Sequence, residues 1–130
     1  MDAPDASETP AGLEVVLDKL EYLPGAGRTP PETPHVFVYH LTIRNGSDRA
    51  VTLLARKWIV QDATGEVRVI EGDKIVGETP RLEPGQAFSY NSYHLAAGDA
   101  EATGGFHGHD DTGTRIHVRI PRFAMRVPKE

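Results

Sequence analysis

Three features of this 130-residue chain predict an all-β fold. Its 13 Gly and 10 Pro cut the sequence into short segments better suited to turns than to long helices. Its apolar residues recur with period two, the spacing of a strand that buries one face. No apolar run reaches the roughly 20 residues that a membrane-spanning helix needs. The length suits one domain, able to bury roughly two-thirds of its unfolded surface around one core.

The first twelve residues hold Asp2, Asp5 and Glu8 among Ala, Pro, Ser and Thr, with no basic residue. Such a segment cannot bury enough apolar area to offset its ordering entropy. Residues 1–12 are therefore expected to form a disordered acidic tail, and residues 13–130 the folded domain. A first strand is predicted over Leu13 to Leu23. Leu13, Val15 and Leu17 are out of phase with Leu20 and Tyr22, which requires a bulge between the two sets. The connection from Pro24 to Pro34 carries four prolines and is expected to be extended and exposed.

A second strand follows, with Phe37, Tyr39, Leu41 and Ile43 on one face and Val36, Val38, His40, Thr42 and Arg44 on the other. The Asn45-Gly46-Ser47-Asp48 cluster ends it, because Asn and Gly tolerate the positive φ of a chain reversal. Val51 to Gln61 forms the third strand, with Trp58 as the central core residue. Asp62-Ala63-Thr64-Gly65 is a hairpin loop with Gly65 in the left-handed position, and Glu66 to Ile70 returns as the partner. Another strand, around Phe88 and Tyr90, follows the Glu83-Pro84-Gly85-Gln86 turn, where Pro presets one dihedral and Gly accepts the next. In the last strand, Ile116, Val118 and Ile120 point inward and Arg115, His117 and Arg119 outward. Pro121 marks an edge or a break, and Phe123 and Met125 re-enter the core beyond it. Seven to eight short antiparallel strands separated by turns point to a β-sandwich of immunoglobulin or fibronectin type III character.

Composition narrows the function. The chain has no cysteine, which excludes disulfides, thiolate metal sites and a cysteine nucleophile, and fits a reducing compartment. Neither a basic region nor an apolar signal core opens the sequence, so a cytoplasmic protein with no membrane partner is expected. The net charge is −5, and the 14 basic residues nearly balance the acidic ones beyond residue 12, leaving no general attraction to nucleic acid.

Four groups of residues invite a chemical reading. The segment Gly72-Asp73-Lys74-Ile75-Val76-Gly77 is similar to a glycine-rich phosphate loop, in which Gly72, Lys74 and Gly77 would be ligand contacts. However, Lys74 stands where a middle glycine would let the backbone approach an anion, and the prolines that follow leave no room for a helix. A structural turn is the competing reading. His107 and His109 have the spacing of two imidazole ligands on one strand face, with Asp110 and Asp111 close by. Yet Gly104, Gly105, Gly108 and Gly113 give the stretch a loop-like character, and an exposed hairpin is the alternative. Ser89, Ser92 and His94 lie near one another without a nucleophile elbow, so no enzyme assignment follows. Arg115 and Arg119, with His117 between them and Arg122 and Arg126 beyond, form a basic stripe suited to carboxylates or phosphates, or to keeping an edge strand soluble.

The order of Arg56-Lys57-Trp58-Ile59, Gly77-Glu78-Thr79-Pro80, Phe88 with Tyr90, and Ile120-Pro121-Arg122-Phe123 resembles the ApaG domain. The resemblance spans about Leu13 to Pro128. It departs at Lys74 and at Ala100-Glu101-Ala102, where the family tends to show Gly-x-Met. It implies a β-sandwich and a noncatalytic binding module, most readily for another protein, with homodimer formation also compatible and no cofactor required. The alternative it implies is a protein that binds a nucleotide, a pyrophosphate or a divalent metal and is linked to cation homeostasis.

Overall fold

The computed structural model describes residues 7–129. Among these residues it contains eight strands: β1 (Leu13–Pro24), β2 (His35–Asn45), β3 (Val51–Asp62), β4 (Val67–Asp73), β5 (Arg81–Leu82), β6 (Ala87–Ala96), β7 (Ala100–Asp110) and β8 (Arg115–Met125). They form two antiparallel sheets, one ordered β1-β2-β6 and the other β4-β3-β7-β8, with β5 pairing the start of β3. The sheets pack face to face over a core that includes Phe37, Leu41, Ile43, Leu53, Trp58, Phe106, Ile116 and Ile120. Trp58 is buried at the centre as its position in β3 requires. The β-sandwich follows from alternation: each strand supplies one apolar face, and two such faces close on each other.

The local expectations for β1 and for the turns at Gly65 and Gly85 hold. The β1–β2 register shifts between Leu17 and Lys19, which brings Leu20 and Tyr22 back onto the core side. Gly65 and Gly85 take φ of 93° each, as their turns require. The β3–β4 and β7–β8 hairpins use one device twice, Asp-x-Thr-Gly. Asp62 Oδ1 accepts from the Thr64 amide and hydroxyl and from the Glu66 amide, and Asp110 Oδ1 does the same for Thr112 and Thr114. These bonds, led by the threonine hydroxyl in each case, hold both carboxyls below their ordinary range.

Three expectations are corrected. The tail does not run free to residue 12: Glu8 bridges Ile116 in parallel along the outer edge of β8, its amide donating to Arg115 O and its carbonyl accepting from His117. Ser7 and Thr9 add hydroxyl contacts to His117, and the Glu8 carboxylate pairs with Arg49. For residues 1–6 the tail expectation lies outside the described residues. Second, β2 ends without a left-handed Asn45. Its buried side chain donates to Arg49 O and Leu82 O at 2.8 Å and accepts from Ser47, while the glycine required nearby is Gly12, whose Cβ would lie 2.3 Å from Gly46 O.

Third, the stretch carrying His107 and His109 is no loop. It belongs to β7, which lies between β3 and β8. Its glycines sit where the β3–β7 and β7–β8 registers slip, and the backbones approach too closely for a side chain. A Cβ on Gly108 would lie 1.8 Å from the Thr52 carbonyl oxygen, and one on Gly104 would lie 2.2 Å from that of Lys57. Pro121 stands at an edge, one of the two places expected for it: β8 is the outer strand of its sheet, and its register against β7 shifts between Ile120 and Phe123.

Candidate functional site in the open side of the sandwich

The two sheets meet along β1 and β8 and part toward β4 and β6. At that open side the inward positions cease to be aliphatic. β6 presents Tyr90, Ser92 and His94 opposite Leu41, Tyr39 and Phe37 of β2, while β3 presents Arg56 and Trp58 opposite Gly72 and Ile70 of β4. A cleft of about 290 Å³ opens between them, walled by Tyr39, Arg56, Tyr90 and Ser92, with Lys74 and Val76 at its lip.

Arg56 organises this wall. Its Nη1 donates to the carbonyls of Asp73 and Lys74, at 2.8 Å each, and the guanidinium lies across Gly72, where a Cβ would be 2.8 Å from Nη2. Gly72 thus makes room for a side chain. The turn that follows is held by Lys74 N–H to Leu54 O, by reciprocal bonds between Ile75 and Glu78, and by Ile75, which is fully buried. Lys74 and Val76 take φ of 69° and 43°, unusual for residues with side chains and most unusual for a β-branched one. Three of the amides a phosphate cradle would use, those of Lys74, Ile75 and Glu78, are already spent on protein carbonyls. Gly72, Lys74 and Gly77 therefore stand together as a structural turn, with Lys74 and Gly77 also facing the cleft.

Behind the cleft, aromatic groups stack closely. The Tyr39 ring lies 4.7 Å from that of Trp58 and 4.9 Å from His94, and His94 meets Trp58 edge to face at 4.5 Å. Burial pushes the His94 imidazole down to about 4, and the nearby Arg68 charge adds to that. The Arg68 Nη2 crosses to the Leu95 carbonyl at 2.7 Å and ties the sheets together there. Burial also raises both phenols, Tyr39 and Tyr90, above their ordinary range against the opposing charge of Arg56, so both stay protonated. Three polar atoms in this region are sealed from solvent without a hydrogen-bond partner: Trp58 Nε1, Tyr90 Oη and His94 Nε2. The indole N–H comes near enough to the Tyr39 oxygen to offset a little of the effect of burial there, but finds no acceptor at good geometry.

The other sequence candidates lie elsewhere. His107 and His109 share the outer face of β7, and His109 Nδ1 bonds the Asp110 carbonyl at 3.0 Å. The nearer imidazole to His107 is that of His117 across the strand pair, with ring centroids 6.4 Å apart. Burial and the neighbouring His117 both lower the His107 imidazole. Asp110 is buried and turned into its own hairpin, and no group of three His, Asp or Glu among the described residues could hold a metal ion. Arg115 and Arg119 are exposed on β8, while Arg122 pairs with Glu101 at 3.1 Å and Arg126 faces Asp99 at 3.8 Å. Arg56 and Tyr39 were not among the candidates, and Ser92 was weighed only with Ser89 and His94. The available signal was phase: Arg56 shares the inward phase of Trp58 and Val60, where a charge is out of place.

One further surface stands out. On the outer face of the three-stranded sheet, Leu23 of β1 pairs with Val36 of β2, which pairs with Leu95 of β6, and the next row sets Val38 beside Tyr93. Leu23 and Tyr93 are 50% and 58% exposed, so this end of the sheet offers a continuous apolar patch to solvent.

The ApaG domain matches residues 26–109. A Protein ApaG from Azoarcus sp. is 35% identical over 121 residues, covering 90% of each chain. A Protein ApaG from Aromatoleum aromaticum is 34% identical over 110 residues, covering 84% of this chain and 86% of its own. A crystal structure of an ApaA protein from Bordetella pertussis superposes with a TM-score of 0.80 at 27% identity, covering 94% of this chain and 98% of that one.

Proposed function

Since the chain belongs to the ApaG domain family, we propose that it is a noncatalytic module that binds another protein, through the outer face of its three-stranded sheet. The observation that carries this reading is the patch of Leu23, Val36, Val38, Tyr93 and Leu95. Apolar groups left in water on a rigid sheet cost solvation, and an exposed tyrosine flanked by aliphatic side chains is the composition of a binding hot spot. The other half of the same face is polar. There His40 Nε2 bonds Glu21 at 2.9 Å, and Thr42 bonds Ser89 at 2.8 Å and also donates to Asp18. An apolar centre with a polar flank suits a protein surface better than a small metabolite.

A photo-crosslinking side chain placed at Tyr93 tests this reading, with the same group at Ser89 as its control. A single crosslinked partner at position 93, absent at position 89 and lost when Val38→Lys is added, supports it. Crosslinking that is equal at both positions, or that depends on Arg115→Glu and Arg119→Glu instead, rules the patch out. A product of twice the chain's own mass identifies the partner as a second copy.

A further inference from the structure

We infer that the cleft between β3 and β6 is a binding site for a singly charged carboxylate attached to a small apolar body, gripped by Arg56 and Tyr90. This site is separate from the outer-face patch and does not depend on it. The first argument is the state of Arg56. Both protons of Nη1 are committed to the Asp73 and Lys74 carbonyls, which fix the side chain in place. The Nε and Nη2 protons have no protein acceptor among the described residues. They form the paired edge of the guanidinium that matches the two oxygens of a carboxylate.

The second argument is Tyr90. Its ring lines the cleft, and its hydroxyl is unpartnered; sealed from water as it stands, it meets a ligand once the ring turns toward the cleft. A buried hydroxyl without a partner is a cost the fold carries unless something completes it. The third argument is the lip. Lys74 and Val76 both occupy the left-handed region, and Val76 remains 46% exposed there. The turn therefore holds an ammonium and an isopropyl group at the mouth of the cleft in a conformation neither residue favours. Strain of this kind persists where the surroundings over-determine it.

Charge and size set the class of ligand. Two cations, Arg56 and Lys74, face one carboxylate, Asp73, which leaves one net positive charge in the lining. That balance neutralises one negative charge and leaves a phosphate dianion or polyphosphate with charge unmatched. The tyrosine rings and Val76 supply apolar wall on either side, and about 290 Å³ is at the small end of ligand pockets. Two sources present this chemistry: a free aromatic or aliphatic acid, and the terminal carboxylate of a peptide chain.

The test follows backbone amide NMR shifts of the whole protein during titration with benzoate, with benzamide as the neutral control, with inorganic phosphate, and with N-acetyl-glycyl-phenylalanine and its amide. Benzoate is expected to saturate in the millimolar range, shifting the amides of Lys74, Val76, Gly77 and Ser92, with benzamide and phosphate inactive there. Tyr90→Phe removes only the unpartnered hydroxyl, so the fold remains, and affinity is expected to fall several-fold. Arg56→Lys keeps the charge but loses the fork, and is expected to weaken binding by about tenfold or more. Saturation by the peptide acid but not its amide, more tightly than by benzoate, assigns the source to a chain end; benzoate alone assigns it to a free acid. The inference is overturned if neither acid shifts these amides, if benzamide or phosphate shifts them equally, or if Tyr90→Phe leaves the affinity unchanged.

Discussion

Replacing His94 with Phe should remove most of the sandwich's loss of stability between pH 6.5 and pH 4. The imidazole is 5% exposed, pressed between Tyr39 and Trp58, and carries an Nε2 with no partner. Its ionisation is lowered from 6.5 to about 4 by burial first and by Arg68 second. Because the folded value lies below the unfolded one, the unfolded chain binds the proton first as the solution is acidified. Stability from this group is therefore whole above pH 6.5, declines as pH falls through the window, and levels off below about 4. A shift of that size corresponds to about 3 kcal/mol, a large share of a small domain's stability.

The assay is urea unfolding at a series of pH values, read by the fluorescence of Trp58, the only tryptophan in the chain. The wild-type free energy should fall by about 3 kcal/mol more than that of His94→Phe between the two ends of the window. His107, whose imidazole is also lowered, acts in the same direction and is common to both proteins, so it cancels in the difference. Asp62 and Asp110 lie outside the window: their lowered carboxyls contribute stability above the ordinary carboxylate range and lose it only in stronger acid. Parallel curves for the two proteins across pH 4 to 6.5 would refute the reasoning, since His94 would then titrate alike in both states.

Three further outcomes are expected. Gly108→Ala places a Cβ against the Thr52 carbonyl oxygen and should destabilise by more than about 2 kcal/mol in urea unfolding, whereas Gly105→Ala, whose nearest contact is 3.1 Å from Val118 O, should cost much less. Val76→Gly relieves a left-handed β-branched residue that is half-exposed, and should raise the unfolding free energy by about 1 kcal/mol despite the entropy glycine adds to the unfolded chain. Ile75→Ala empties the buried plug of the turn after β4 and should cost about 2–4 kcal/mol, with the largest NMR shifts at Arg56 and Lys74 rather than in the distant β1–β2 bulge.

Much of the sandwich was legible in the linear chain because its signals are local. The alternation of Phe37, Tyr39, Leu41 and Ile43, the repeated Asp-x-Thr-Gly turns and the phase slip near Leu17 each arise from neighbours along the backbone. Period-two burial fixes which side chains point inward before any partner strand is chosen. Strand β7 escaped notice for the opposite reason. Gly104, Gly105 and Gly108 weaken every local indication of a strand, and the purpose of Gly104 and Gly108 is visible only when the Lys57 and Thr52 carbonyls arrive from β3.

The candidate site divides along the same line. Sequence alone determined that the glycine-rich segment has no helix behind it and that the chain lacks cysteine chemistry. Only the tertiary structure decided that Gly72 exists to admit Arg56, that Tyr39, Tyr90 and Ser92 from the other sheet face it, and that Trp58, Tyr90 and His94 are left with unpartnered polar atoms. The apolar patch, too, depends on three strands aligning Leu23, Val36 and Leu95 in one row. Alternation is a property of one strand, but a cleft or a patch requires residues distant in sequence to share a place, and only strand pairing and sheet packing specify that.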